Sequence, residues 1–182
     1  MKKQHNFFNR EGNSNSIKAH NSAVRSVSFS SDGQLLLTSS DDKTLKIWGV
    51  NDKKFLFSLL GHSNWVRTAQ FSPDNRIIVS GSDDKTVRLW DTEKRQEIYS
   101  FTDHTGVIYN VRFHPDGTCV GTCGNDKKIK IFDVRSKRLL QHYDAHGDNV
   151  NQLAFHPSGS FLVSASSDAK VKVLKFFFHS IN

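Results

Sequence analysis

The chain has 182 residues, 36% hydrophobic and 24% charged, with two cysteines and a formal net charge of +7. This composition fits one ordinary globular domain and excludes a disordered or fibrous polypeptide. No run approaches a membrane span, and the basic opening MKKQHNFFNREGN has no apolar stretch behind it, so neither a secretory signal nor membrane association is expected and the reading is an intracellular soluble protein.

In chain order, residues 1–15 are rich in Asn and are read as a disordered N-terminal segment. From residue 16 to 175 the sequence falls into four units, at about 20–60, 62–102, 104–144 and 146–175. The second unit shows the pattern most fully. Its stretches WVRTAQF, RIIVSG, TVRLW and EIYSF alternate apolar with polar residues and are separated by SPDN, SDDK and DTEKR, which predicts four short strands joined by turns. The fourth unit stops after KVKVL, and residues 176–182 are read as an atypical tail. Both ends therefore suggest a truncated gene product or an incomplete gene model.

The units repeat without drift. His20, His62, His104 and His146 stand 42 residues apart, as do Phe29, Phe71, Phe113 and Phe155, and as do Asp42, Asp84, Asp126 and Asp168. A period of about 40–45 residues with Gly-His near the start and Trp-Asp near the end marks a four-stranded propeller blade. GHSNWVRTAQFSPDNRIIVSGSDDKTVRLWD, from Gly61 to Asp91, carries that signature throughout. On these residues the chain resembles the WD-repeat family, which implies an all-β fold of WD40 β-propeller blades. Such propellers carry about seven blades, or roughly 290 residues at this period, so four repeats imply an incomplete ring whose end blades present unpaired strands and apolar faces.

The same resemblance implies a side-chain network in each blade, made of the Gly-His histidine, a Ser or Thr on the second strand, the Asp of the following turn and the tryptophan. The residues are His20, Thr38, Asp42 and Trp48, then His62, Ser80, Asp84 and Trp90. The third blade offers His104, Thr122 and Asp126 but has Phe132 for the tryptophan, and the fourth offers His146, Ser164 and Asp168 but has Leu174. Physical chemistry supports the arrangement, because each buried polar group finds a partner within it. A His–Asp pair also suggests general-base chemistry, but its recurrence at a fixed period is better explained as structure. No phosphate loop, nucleophile motif or clustered ligand set is visible, and adjacent carboxylates on the SDDK turns do not make a calcium cage. No enzyme activity, metal or cofactor is therefore expected. Cys119 and Cys123 lack zinc-site spacing and read as buried free thiols.

Binding residues concentrate on loops held by a rigid scaffold, so a rim of the disc is the expected partner face. The positions entering the innermost strand are expected to point there: Arg25, Arg67, Tyr109 and Asn151, together with Trp65. Asp41, Asp83 and Asn125, each just before the structural Asp, are expected beside them. Trp65 is the leading anchor, because the other repeats carry Ala23, Val107 and Asn149 there and Trp commonly anchors interfaces. Its bland alternative is a ring that caps the gap between neighbouring blades.

Several stretches outside the generic motif resemble the centriolar WD-repeat proteins of the centriole proteome: IKAHNSAVRSVSFSSDGQ, GHSNWVRTAQFSPDNRIIVS, RSKRLLQHYDAH and FHPSGSFLVSASSDAKVKVL. That resemblance implies a non-catalytic protein-interaction scaffold in centriole and basal-body assembly or stability and in ciliogenesis. Its partners would be other centriolar or basal-body proteins and the microtubule wall, and its location cytoplasm, cytoskeleton and centriole. The alternative is a propeller subunit of another complex, a ubiquitin-ligase substrate receptor or an RNA-processing scaffold. The net charge raises nucleic acid as a partner, but aromatics interleaved with Lys or Arg on one face are not apparent.

Overall fold

The computed structural model describes residues 16–176. Among these, fifteen strands form four antiparallel sheets, and no helix is present. The first sheet holds β1 (Val24–Phe29), β2 (Leu35–Ser40), β3 (Leu45–Gly49) and β4 (Phe55–Leu59). The second holds β5 (Val66–Phe71), β6 (Ile77–Ser82), β7 (Val87–Asp91) and β8 (Gln96–Phe101). The third holds β9 (Ile108–Phe113), β10 (Cys119–Gly124), β11 (Lys128–Asp133) and β12 (Arg138–Asp144). The fourth has three strands among the described residues, β13 (Val150–Phe155), β14 (Phe161–Ser166) and β15 (Val171–Lys175). Strands follow chain order within every sheet, so each connection is a hairpin. The segments 1–15 and 177–182, expected as disorder and tail, lie outside the described residues; Phe176 is buried beside His114 and Phe155.

The hairpins repeat their backbone conformation as faithfully as their sequence. Between the first and second strands, Gly33, Asn75, Gly117 and Gly159 all take positive φ, a conformation that Gly and Asn enter at least cost. Between the second and third strands the positive-φ residues are Lys43, Lys85, Lys127 and Ala169, each following an Asp-containing turn. This matches a three-residue hairpin loop, in which a turn is closed by one left-handed residue.

The sheets pack face to face, meeting at their innermost strands, β1 beside β5, β5 beside β9 and β9 beside β13. Because side chains alternate between faces, each sheet offers one apolar face backward and one forward. In β6, Ile78 joins a core with Leu37, Leu45 and Ile47 of the first sheet, while Val79 joins a core with Ile108, Val111 and Phe132 of the third. A third seam joins Ile129 and Ile131 to Val150, Leu153 and Leu162. The stack is an unclosed propeller. The backward face of the first sheet and the forward face of the fourth have no neighbouring sheet among the described residues.

Candidate functional site

Each repeat's histidine sits in the loop before the first strand and is pinned from two sides. In the first sheet His20 Nδ1 lies 2.8 Å from Asp42 Oδ2 and Nε2 lies 2.7 Å from Thr38 Oγ1, while Trp48 Nε1 donates to the same hydroxyl at 3.1 Å. The second sheet repeats this with His62 to Asp84 at 2.7 Å, His62 to Ser80 at 2.8 Å and Trp90 to Ser80 at 2.8 Å. With a neutral ring protonated on Nδ1, the imidazole donates to the carboxylate and Nε2 accepts from the hydroxyl, whose oxygen accepts the indole N–H.

In the third sheet His104 joins Asp126 at 2.6 Å and Thr122 at 2.8 Å, and in the fourth His146 joins Asp168 at 3.0 Å and Ser164 at 2.8 Å. No indole is present there. Phe132 instead fills the space and stacks on Phe101 with ring centroids 4.3 Å apart.

Two features of this network are absent from the sequence reading. Thr44 and Thr86 donate to Asp42 and Asp84, both at 2.7 Å, and also lie within reach of the histidine Nδ1. Ser40, Ser82 and Ser166 accept the turn amides of Asp42, Asp84 and Asp168. The recurring SDDKT string carries both signals in the first two repeats. Burial pushes the Asp42 carboxyl up, but hydrogen bonds from Thr44, His20 and the Asn21 amide outweigh it and hold the group at about 2. At Asp84 burial is again opposed, by His62 and Thr86, and the pKa falls well below the ordinary carboxylate range. A fixed carboxylate thus locks each turn to the loop that begins the blade.

Next to every lock the innermost strand carries a β-bulge. Pairing with the second strand skips one residue in each sheet, and the skipped residues are Arg25, Arg67, Tyr109 and Asn151. A bulge re-aims one side chain out of the pleat. Here Arg25, Arg67 and Asn151 each reach the residue preceding the structural Asp. Arg25 grips Asp41 through Nε and Nη2, and Arg67 grips Asp83 at 2.6 and 2.8 Å, both with two parallel hydrogen bonds. The bond from Arg25 holds the Asp41 carboxyl below its usual range. Asn151 donates to Ser167 at 3.1 Å, whereas no hydrogen bond joins Tyr109 to Asn125 among the described residues. Adjacent acidic residues therefore divide their work, Asp42 and Asp84 facing the blade interior and Asp41 and Asp83 the rim.

Trp65 stands between the two arginine pairs, with the guanidinium carbons of Arg25 and Arg67 lying 5.5 and 5.1 Å from its ring centroid. The ring spans the seam between the first two sheets yet remains 41% exposed. A polar groove runs down the inner strands from this point, lined by Arg67, Tyr109, Asn110 and Arg112. Burial draws the Arg112 guanidinium pKa down.

Among the described residues no group of three or more His, Cys, Asp or Glu could hold a metal ion. Cys119 and Cys123 are free and buried, Cys119 with its thiol pushed up to about 12 by burial. The family model for the WD domain, G-beta repeat, matches residues 12–49, 53–91, 95–133 and 137–174. From the second match onward, each begins on the outer strand of one sheet and ends on the third strand of the next.

Proposed function

The chain belongs to the WD-repeat family, and we propose that its rim, built around Trp65, Arg25, Arg67, Asp41 and Asp83, is where it binds other proteins. Domains of this family are in general non-catalytic interaction modules, and the repeats themselves suggest a protein-interaction scaffold. One observation carries the placement. A half-exposed tryptophan is clamped between two ion-paired arginines on bulges that recur at a fixed place in each sheet. Aromatic and arginine side chains already held in place lose little entropy on binding and are the residue types that most often dominate interfaces.

The partners we propose are centriolar or basal-body proteins, with the microtubule wall as a further surface, so that the chain serves centriole stability and cilium assembly from the cytoskeleton. The support is the resemblance of stretches such as RSKRLLQHYDAH and FHPSGSFLVSASSDAKVKVL to centriolar WD-repeat proteins. Microscopy of the tagged endogenous protein beside a centriole marker tests this. Signal at centrioles or basal bodies is expected, and diffuse or nuclear signal would move the proposal to another WD-repeat complex. Trp65→Ala should abolish that recruitment while leaving thermal stability nearly unchanged. Recruitment that survives the substitution would remove Trp65 from the binding surface.

A further inference from the structure

The four innermost strands, VRSVSF, VRTAQF, IYNVRF and VNQLAF, hold three arginines and no Asp or Glu. Two of the arginines are neutralised at the rim, Arg25 by Asp41 and Arg67 by Asp83. Arg112 is not. It is half-buried in the polar groove that runs from the rim, and among the described residues it makes no ion pair: its guanidinium donates to the neighbouring Val111 carbonyl, at 3.0 Å. Burial lowers its pKa, and no nearby carboxylate offsets that effect. Gln70 and Ala154 stand in its column on the strands to either side, so neither neighbour brings an acid against it. A partly desolvated charge without a counter-ion is costly, and a ligand of opposite charge removes the cost.

Two further groups of the groove are committed as donors. Asn110 Oδ1 accepts the Leu153 amide at 3.2 Å, and Gln70 Oε1 accepts the Phe113 amide at 3.1 Å. A backbone N–H can only donate, so these bonds engage the carbonyl oxygen of each side chain and leave its NH2 end for another partner. Among the described residues no hydrogen bond engages Asn110 Nδ2 or Gln70 Nε2. Both residues line the groove with Arg112, around a space of about 390 Å³ that admits a side chain. What these three residues still offer a ligand is therefore one cation and two amide donors, a set that selects an anionic acceptor.

We infer that the groove takes an Asp or Glu side chain of a partner protein, carried on an extended segment that crosses the rim at Trp65 and sets its carboxylate on the Arg112 guanidinium. The inference rests on the rim as the binding surface and adds the chemistry of what binds there. Carboxylate and guanidinium match through two parallel hydrogen bonds, the fit that Arg67 and Asp83 already make in this chain. One unneutralised guanidinium calls for one negative charge. A phosphoryl group carries about two, and the second would go unmet because Arg25 and Arg67 are already engaged.

Random dodecapeptides displayed on phage and selected on the 182-residue chain supply the probe. The leading peptide is synthesised with blocked ends and titrated by fluorescence anisotropy. Arg112→Gln puts into β9 the residue that β5 already holds at Gln70, and far-UV circular dichroism checks that the variant is folded. The peptide is expected to carry one indispensable Asp or Glu. Replacing that residue by its amide, or Arg112 by Gln, should each weaken binding about ten- to hundredfold, as loss of a charged hydrogen-bonded pair does. Combining the two should cost little more than either alone. No enriched peptide, a peptide without a required acid, or full affinity for Arg112→Gln would each overturn the inference. A phosphoserine twin that binds more tightly than the acidic peptide would overturn the carboxylate assignment. Trp65→Ala separates the two readings: a neutral peptide that needs Trp65 sinks the acidic partner and keeps the rim, whereas an acidic peptide that needs Arg112 but not Trp65 does the reverse.

Discussion

Removing one hydroxyl should cost different amounts in different blades, and the difference is fixed by which rings share it. Ser80 and Ser164 occupy the same column and are both fully buried. Ser80 serves His62 Nε2 and the Trp90 indole, each at 2.8 Å, whereas Ser164 serves only His146 Nε2 among side chains of this network, because Leu174 stands where the indole would be. A buried polar group left without a partner costs about 1–3 kcal/mol. Ser80→Ala strands two such groups and is expected to lose about 2–6 kcal/mol, and Ser164→Ala strands one and is expected to lose about 1–3 kcal/mol. Urea denaturation followed by far-UV circular dichroism reads the difference as a larger midpoint shift at unchanged slope. A Trp90→Phe background closes the argument, since Ser80→Ala made there should cost no more than Ser164→Ala. Equal losses for the two serines, or a Ser80→Ala cost unaffected by Trp90→Phe, would refute the shared-hydroxyl reasoning.

Three further outcomes are expected. The folded pKa of Asp42, about 2, lies below its ordinary value of 3.8, so the unfolded chain binds more protons in that interval. The stability Asp42 contributes is complete above its unfolded value and is lost as pH falls through the folded one, and Asp42→Asn should flatten the acid limb of a denaturation-midpoint against pH plot. Ala169 holds a φ of 63° without being glycine; Ala169→Gly is expected to raise stability by up to about 1 kcal/mol in thermal melts, and Gly117→Ala, at φ 77°, to lower it by about 1–2 kcal/mol. The burial of Cys119 and Cys123 predicts no reaction with a thiol reagent under native conditions and two equivalents after denaturation.

The strands and their order are legible in the sequence because four units repeat the same alternation and the same turn residues without a single insertion. The histidine, hydroxyl, carboxylate and tryptophan stand in columns, so their candidacy needed only the period. What each rim residue touches is harder to read. A bulge adds one residue to one strand and becomes visible only against its partner, so nothing in VRSVSF or VRTAQF separates Arg25 and Arg67 from ordinary outward-facing residues. The placement of Trp65 between two arginines depends on a residue 40 positions earlier across a seam, a relation that local pattern does not encode. Thr44 and Thr86 are hard to single out for a different reason: their column continues as Lys128 and Lys170, so it is not a constant feature of the repeat.

The covalent repeat and the folded sheet are one strand out of step. β4 opens the segment matched at 53–91 but is hydrogen-bonded to β3 in the segment before, and β8 and β12 stand in the same relation to the sheets they complete. The chain is therefore sewn like overlapping shingles. Tension applied along it cannot peel away one repeat cleanly, because the first strand to move must tear from its neighbour's edge. Likewise, a protease nick in the 51–54 turn leaves two pieces still clasped through β3 and β4.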